Sequence, residues 1–229
     1  MSLSKSIISA LNWEEKRKSD LAADNLAAVR HSYQQQKVFL PDNNRAIFWD
    51  QRFAEEANAQ LSAFTYLSPL EKWRIKKVLA NLNFKQSVLN LGVGSGRLEA
   101  RLLAKIKANL YTGTDITRQT LTKLRRVFPQ FCFQTARLDK LPFKNASFQQ
   151  ILLLEVLEHI RPNKSLLVLG EIHRVLKTGG RLFISVPVNE GLEKMLPINP
   201  NAHQRLYSLA LLKFELEESG FIIKKNLCS

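Results

Sequence analysis

Three glycines spaced two residues apart, Gly92, Gly94 and Gly96, offer a stretch of backbone that a ligand can approach closely. They follow a short apolar run and precede a helical pattern that begins near Arg97. We therefore expect a strand, a tight turn and a helix in succession, with the free amides at the amino end of the helix facing a ligand. An ordinary glycine-rich turn between a strand and a helix would show the same residues, so the turn alone does not define a function.

Arg97 and Asp115 narrow the identity of the ligand. A dinucleotide-binding fingerprint would place its third glycine at position 97, where this chain has arginine. Asp115 ends a second apolar run 19 residues after Gly96. A carboxylate at about that distance can accept hydrogen bonds from both hydroxyls of a ribose. Together these residues predict an adenosine ligand without a pyrophosphate.

Three groups of residues in the chain are similar, in order, to motifs of the class I S-adenosylmethionine-dependent methyltransferases, and in detail to their type-11 branch. Residues 88–98 resemble the GxGxG motif of the family. The signature of the branch is matched by residues 141–148 (LPFKNASF), 154–160 (LEVLEHI) and 173–187 (HRVLKTGGRLFISVP). The resemblance covers about residues 70 to 226. It implies an enzyme with a doubly wound, mostly parallel α/β sheet that uses S-adenosylmethionine and releases S-adenosylhomocysteine.

The resemblance also implies which residues bind the cofactor. The three glycines would pass beneath its methionine part, and Asp115 would bind its ribose. Glu155 ends the fourth strand, where open α/β sheets place their ligands, and would meet the methionine group with its backbone or its side chain.

Two positions depart from the family pattern. Asn90 stands two residues before the first glycine, where the family usually has an acid, so a negative charge facing the cofactor is missing. Arg137 stands where an acid near the adenine amine is often found. Leu138 and Asp139 follow it and could supply a backbone amide and a carboxylate. We therefore expect the cofactor to bind, but more weakly than is usual for the family.

His159 is the candidate catalytic residue, because an imidazole titrates near neutral pH and can take a proton from an acceptor hydroxyl. A role in bracing the loop before Pro162 is an equally good interpretation. His173, on a predicted helix, is interpreted as structural. His203 precedes the last predicted helix and would cap that helix or help to close the site, with the cap favoured.

The net charge of +14 is concentrated in the middle of the chain. Residues 88–145 carry 11 lysines and arginines against 3 acids, mainly on two predicted helices that would cover one face of the sheet. Such a basic face could bind a nucleic acid or an anionic membrane surface. A solvated face without a partner is the favoured interpretation.

The remaining bulk properties exclude several classes of protein. A chain of 229 residues suits one α/β domain with a modest extension. No signal peptide is recognised and no apolar run approaches the roughly 20 residues of a membrane span. The two cysteines offer neither a disulfide framework nor metal-ligand spacing, so no metal site is expected. We expect a cytoplasmic protein, and no feature of the sequence indicates its oligomeric state.

Alternating apolar runs and helical patterns predict two parts. Residues 1–66, which are rich in aromatic side chains, would form a helical cap or lid. Residues 67–229 would form the methyltransferase domain, with strands at 87–91, 110–114, 131–134, 150–154, 181–186 and 221–223. Its helices are expected at 68–81, 97–107, 117–127, 164–176 and 208–219. The antiparallel seventh strand usual in the family would be missing, because only four residues follow Lys225.

The function expected from the resemblance is in-line transfer of a methyl group to an oxygen, nitrogen or carbon atom of a small organic acceptor. Two alternatives remain open. One is an RNA methyltransferase that uses the basic face. The other is a catalytically degenerate partner subunit that binds the cofactor, as Asn90, Arg137 and the missing strand would suggest.

Overall fold

A sheet of seven strands, all paired in parallel, organises the chain. The computed structural model describes residues 6–11, 45–59, 67–188 and 201–227. Within them the strands are β1 (Ser6–Leu11), β2 (Val88–Leu91), β3 (Tyr111–Asp115), β4 (Cys132–Thr135), β5 (Phe148–Leu154), β6 (Leu176–Ser185) and β7 (Phe221–Leu227). Their spatial order is β4-β3-β2-β5-β6-β1-β7.

The order of the strands reverses at β2. Strand β3 follows β2 in the chain and pairs on one side of it, whereas β5 pairs on the other. The connections that leave β2 and β5 therefore diverge and open a crevice at the carboxyl ends of these strands. Strand β2 is buried along its whole length, and residues 151–153 of β5 are fully buried, as central strands of a parallel sheet should be.

Helices cover both faces of the sheet. They are α1 (Ala46–Ala59), α2 (Pro69–Asn81), α3 (Glu99–Leu102), α4 (Arg118–Val127), α5 (Ser165–Val175) and α6 (Leu209–Glu218). Short 3-10 turns lie at Ala108–Leu110, Leu157–His159 and Pro162–Lys164. Helices α2, α3 and α4 contribute to one apolar core cluster, and α5 and α6 contribute to the other.

Local signals in the sequence explain where two of these helices begin. The Ser68 hydroxyl accepts a hydrogen bond from the Glu71 amide at 3.2 Å, and Pro69 occupies the first turn of α2. The Ser208 hydroxyl accepts from the Leu211 amide at 3.2 Å and begins α6 in the same way. We had expected His203 to cap this helix, and that interpretation is wrong, since Ser208 is the capping residue.

The expected fold class is confirmed, but the expected number of strands is wrong. Six strands were expected, and the seventh, β1, lies between β6 and β7 and runs parallel to both. It comes from the amino-terminal part that we had expected to be helical. Ile7 and Ile8 are β-branched residues that suit a strand. Residues 12–44 and 60–66 of the expected cap lie outside the described residues, and the division at residue 66 stays a prediction.

Two expected element boundaries are also corrected. Helix α3 ends at Leu102 rather than near residue 107, because the Lys105 amide donates to the Leu102 carbonyl in a tighter turn (2.8 Å). Strand β6 begins at Leu176, immediately after α5, rather than at Arg181. Leu176 pairs with Phe148, and the register then shifts before Arg181 pairs with Gln150. Gly179, with φ of +71°, lies within this irregular stretch.

Candidate functional site

The crevice at the carboxyl ends of β2, β3 and β5 widens into a cavity of about 620 Å³. This volume lies within the usual range of small-molecule sites. Helices α1 and α2 and the segment around residues 201–203 complete its walls. Eight of the residues singled out in the sequence line it: Asn90, Gly92, Gly94, Asp115, Leu138, Asp139, Glu155 and His159. Gly96 is buried behind the wall, so it shapes the turn without lining the cavity.

The glycine turn needs glycine for two different reasons. All three glycines have positive φ, at 80°, 53° and 82°, where other residues are strained. A Cβ on Gly92 would lie 2.6 Å from a methyl of Val156, so no side chain fits there. A Cβ on Gly94 would instead point towards the ring of Phe53, at 3.5 Å. The backbone of the turn thus lies against Val156 and Phe53, which line the cavity with it.

Asp115 joins the glycine turn to the start of α4. One of its carboxylate oxygens accepts from the Gly94 amide (3.1 Å), and the other accepts from the amide and the hydroxyl of Thr117 (3.0 and 2.9 Å). Burial raises the pKa of this carboxyl, and these hydrogen bonds oppose the rise. Asp115 therefore organises the turn before α4 and also lines the cavity, a position compatible with the ribose-binding role expected from the sequence.

Asn90 lines the cavity and belongs to a buried polar cluster. Its side-chain Nδ2 donates to Glu99 Oε1 at 2.8 Å, and the Tyr111 hydroxyl donates to the same oxygen. Glu99 is fully buried, and burial raises the pKa of its carboxyl above the ordinary value of 4.5. Sequence reasoning treated Glu99 as an ordinary residue of the following helix. The signal that could have identified it is an acid in the first turn after a glycine loop whose own acid is missing.

Arg137 and Asp139 form an ion pair at the mouth of the cavity. Two nitrogens of Arg137 donate to the two oxygens of Asp139, at 3.0 and 2.7 Å, and Lys164 Nζ lies 3.4 Å from the second oxygen. The hydrogen bond from Arg137 is the main reason that the pKa of Asp139 is lowered. The Arg137 side chain is 67% exposed, and Arg137 lines the cavity together with Leu138 and Asp139.

Glu155 has a strained backbone and a paired side chain. Its φ is +54°, which is rare outside glycine and turns the chain sharply at the end of β5. Its Oε1 accepts from the Ser185 hydroxyl at 2.7 Å and lies 3.0 Å from a guanidinium nitrogen of Arg74. Arg74 therefore offsets the charge of Glu155 at the cavity wall.

His159 lies among aromatic rings that line the cavity. Its Nδ1 lies 3.2 Å from the Ala202 carbonyl oxygen. Its ring meets those of Trp49 and His203 edge to face, with centroids 4.7 and 5.0 Å away. The ligating atoms of Glu158, His159 and His203 lie within 4.8 Å of one another, so residue types that also bind metals come together here, although the sequence had indicated no metal site.

The segment that carries His203 is anchored to β5 and α6 by buried polar contacts. The Gln204 amide donates to the Glu158 carbonyl at 2.7 Å. Arg205 is fully buried and forms an ion pair with Glu215 at 2.7 Å. Two hydroxyls, those of Ser165 and Tyr207, donate to the same carboxylate, at 2.6 and 2.7 Å. This network fixes His203 beside His159, and sequence reasoning missed it because its members are far apart in the chain.

His173 lies outside this site. It is on α5, and its ring meets Phe221 with centroids 5.1 Å apart. Partial burial lowers the pKa of its imidazole. Its position agrees with the structural role expected from the sequence.

The outer side of α4 carries the basic face expected from the sequence. Arg118, Lys123, Arg125 and Arg126 are exposed, whereas Leu121 and Leu124 pack into the core. Of the two acids nearest in sequence, Asp115 is buried and Asp139 is paired with Arg137. None of the helices in the described part of the chain is long and apolar enough to cross a bilayer.

Comparison with known proteins gives a consistent result. Residues 88–180 match the family model of a methyltransferase domain. A probable S-adenosylmethionine-dependent methyltransferase of Mycolicibacterium smegmatis is 29% identical over 144 residues, covering 62% of this chain and 54% of that protein. A demethylmenaquinone methyltransferase of Chlorobaculum parvum is 32% identical over 114 residues, covering 49% of this chain and 43% of that protein. The chain thus spans about half the length of these curated relatives.

A solved structure is similar in fold. An S-adenosylmethionine-dependent methyltransferase from Thermotoga maritima superposes with a TM-score of 0.57 at 23% identity, covering 75% of this chain and 79% of that one. At this level of identity the likeness supports the fold alone.

Proposed function

Because the chain carries a class I S-adenosylmethionine-dependent methyltransferase domain, we propose that it transfers a methyl group from S-adenosylmethionine to a small organic acceptor. One observation carries this proposal. The glycine turn and Asp115, which suit the cofactor, open into the same cavity as His159 and its aromatic neighbours, which suit an acceptor. Direct methyl transfer requires that the cofactor and the acceptor bind next to each other in one cavity.

We call the cavity-lining residues expected to bind the cofactor the cofactor wall: Asn90, Gly92, Gly94, Asp115, Leu138, Asp139 and Glu155. Their chemistry fits S-adenosylmethionine. The backbone at Gly92 and Gly94 would lie against the methionine part, and Asp115 would accept from the ribose hydroxyls. Leu138 and Asp139 would contact the adenine, and Glu155 would contribute at the methionine end. When bound, the cofactor supplies a methyl group on a positively charged sulfur, which is a good leaving group. The contribution of the protein is to hold the acceptor atom in line with that methyl group and to exclude water.

His159 takes the proton that an acceptor hydroxyl or amine gives up. Its Nδ1 donates to the Ala202 carbonyl, so in the neutral ring Nε2 is the nitrogen that carries no hydrogen. The proton moves from the acceptor atom to Nε2 as that atom gains the methyl group. Glu158, whose Oε1 lies 3.8 Å from Nε2, favours the charged imidazolium that results.

The acceptor is a small molecule with a planar ring. Trp49, Phe53, His159 and His203 present ring faces and edges to the cavity, and aromatic pairs prefer such offset and edge-to-face arrangements. A relative named for methylation of demethylmenaquinone supports a ring acceptor. An oxygen, nitrogen or carbon atom of the ring or its substituents would be the nucleophile.

The proposal is tested by incubating the purified chain with S-adenosylmethionine carrying a tritiated methyl group and a panel of hydroxylated and aminated ring compounds. We expect label to pass to at least one compound, with release of S-adenosylhomocysteine. Transfer should fall by about 100-fold or more when His159 is changed to Gln. Transfer to RNA but to no small molecule would favour the basic face as the acceptor surface, and binding of the cofactor without any transfer would favour a partner subunit.

A further inference from the structure

A carboxylate is buried directly behind the cofactor wall of the cavity. Glu99 has no solvent exposure, and its Oε1 receives the hydrogen bonds of Asn90 and Tyr111. Its second oxygen, Oε2, is equally buried and has no hydrogen-bond partner among the described residues. Within the same residues, no lysine or arginine forms an ion pair with it. A buried carboxylate with a hydrogen bond to only one of its oxygens lowers the free energy of unfolding. A role in binding a ligand would explain why this chain has one.

The hydrogen bond from Asn90 to Oε1 fixes the side-chain amide of Asn90 in one orientation. An ionised carboxylate only accepts hydrogen bonds, so Asn90 donates to the charged form of Glu99 through Nδ2. The amide oxygen of Asn90 is then the atom that this residue offers to the cavity it lines. An amide oxygen backed by a carboxylate is a suitable acceptor for an ammonium group.

We propose that Glu99 is a positioning residue for the cofactor: it holds the amide of Asn90 with the oxygen towards the cavity, and it places a negative charge behind that oxygen. The group recognised in this way is the ammonium of the methionine part of S-adenosylmethionine and S-adenosylhomocysteine. This inference rests on the proposed binding of the cofactor. In it, Glu99 supplies the negative charge that the family usually has at position 90, where this chain has Asn90.

The test compares two ligands that differ in the recognised group. S-Adenosylhomocysteine carries the ammonium, whereas 5′-methylthioadenosine has the same nucleoside and thioether but no amino-acid part. Dissociation constants are measured by titration calorimetry for the parent, Glu99→Gln, Asn90→Leu and the double variant Asn90→Asp/Glu99→Gln. Tyr111→Phe is the matched control, because it removes a hydrogen bond to the same carboxylate and leaves both Asn90 and the charge in place.

Glu99→Gln should raise the dissociation constant of S-adenosylhomocysteine at least fivefold and that of 5′-methylthioadenosine less than twofold. Asn90→Leu should show the same selectivity, which keeps the test valid if Glu99→Gln fails to fold. The double variant moves the carboxylate to position 90, where the glutamine amide at position 99 can donate to it. Its dissociation constant for S-adenosylhomocysteine should be within threefold of that of the parent. Tyr111→Phe should leave both constants within twofold of the parent.

Unchanged binding of S-adenosylhomocysteine by Glu99→Gln, with or without a lower melting temperature, would overturn the role of Glu99 and leave the proposed function intact. Equal losses for the two ligands would also overturn it, since the effect would then not concern the ammonium. A parent chain that binds neither S-adenosylmethionine nor S-adenosylhomocysteine would overturn the proposed function, and this inference with it.

Discussion

The two walls of the cavity are built in different ways. The cofactor wall comes largely from one continuous stretch, residues 90–115, whose turn is set by three glycines and by Asp115, 21 positions after Gly94. The acceptor wall brings together α1, the end of β5 and residues 201–205. Its contacts include His159 with Ala202 and Ser165 with Glu215, which are 43 and 50 positions apart. One wall depends on local backbone geometry and the other on long-range packing.

This difference has a consequence for how the two walls respond to change. A substitution in the cofactor wall should alter affinity for the cofactor with little effect on the acceptor. A substitution in the acceptor wall should alter transfer, or local stability, and leave cofactor affinity unchanged. Variants in one wall at a time test whether cofactor affinity and methyl transfer change independently.

The largest effect is expected at His159. His159→Gln removes the proton acceptor, and general-base catalysis contributes about 10²–10⁴ in rate, so transfer should fall by a factor in that range. Affinity for S-adenosylhomocysteine should stay within twofold, because His159 belongs to the other wall. Steady-state kinetics and calorimetry measure the two quantities.

His173→Gln is the control for this prediction, since His173 lies on α5 against Phe221 and outside the cavity. It should transfer as the parent does. Treatment with a chelator should also leave the parent active. Activity that a chelator removes and a divalent ion restores would instead assign the cluster of Glu158, His159 and His203 to metal binding and would contradict the role of His159 as a base.

A large loss of stability is expected at Arg205. Arg205→Met leaves the Glu215 carboxylate buried without its cation, and breaking a buried ion pair in this way costs about 3–5 kcal/mol. Urea unfolding should show this loss, and the second change Glu215→Leu should recover a large part of it. If Arg205→Met were as stable as the parent, the acceptor wall would not depend on the network around Glu215.

The glycine turn, Asp115 and the order of the later strands were predictable because their signals are local. Glycines at fixed spacing define the turn, and continuous apolar runs define β2 and β5. The acceptor wall was not predictable in this way. Nothing near His203 in the sequence indicates that Ala202 would offer its carbonyl to His159, or that Arg205 would be buried against Glu215.

Two features of the cofactor wall and the sheet were missed for the same reason. Glu99 looks like an ordinary helical acid until the helix turns it inward against Asn90. Strand β1 gains its partners only from β6 and β7, more than 150 positions away in the chain. Ile7 and Ile8 suit a strand, but nothing in this six-residue segment shows which strands it pairs with.

A moderate effect of pH is expected from Glu99 in the cofactor wall. Burial raises the pKa of its carboxyl in the folded state above 4.5, so its contribution to stability is fully present below pH 4.5 and is lost as the pH rises through the folded-state pKa. Each unit of the rise corresponds to about 1.4 kcal/mol. Relative to Glu99→Gln, the parent should therefore lose stability as the pH rises above 4.5.

Thermal unfolding of the two proteins over this pH range measures the difference. Other titrating groups are common to both and cancel. A difference that stays constant, or that grows in favour of the parent as the pH rises, would show that Glu99 is stabilised as a carboxylate by a group within the fold.

The smallest effect is expected on the basic face. Lys123 and Arg126 are exposed on α4, outside both walls, and surface changes of this kind alter stability by about 0.5 kcal/mol or less. Lys123→Glu/Arg126→Glu should leave transfer to a small acceptor within twofold of the parent. A selective loss of activity on RNA or on a vesicle-bound acceptor would show that the face takes part in recognition of the acceptor.

The central claim, that the cofactor wall binds S-adenosylmethionine, is tested most directly by calorimetric titration of Asp115→Ala with S-adenosylmethionine and S-adenosylhomocysteine. Thr117→Val is the control, because it removes the hydroxyl contact at the start of α4 and leaves the carboxylate in place. Losing a charged acceptor for the ribose should cost about 1.5–3 kcal/mol, on the order of tenfold to a hundredfold in the dissociation constant. We expect that loss for Asp115→Ala, in a folded protein, and less than threefold for Thr117→Val. If Asp115→Ala binds both ligands as the parent does and only melts earlier, Asp115 serves the turn before α4 alone, and the assignment of this wall to the cofactor is contradicted.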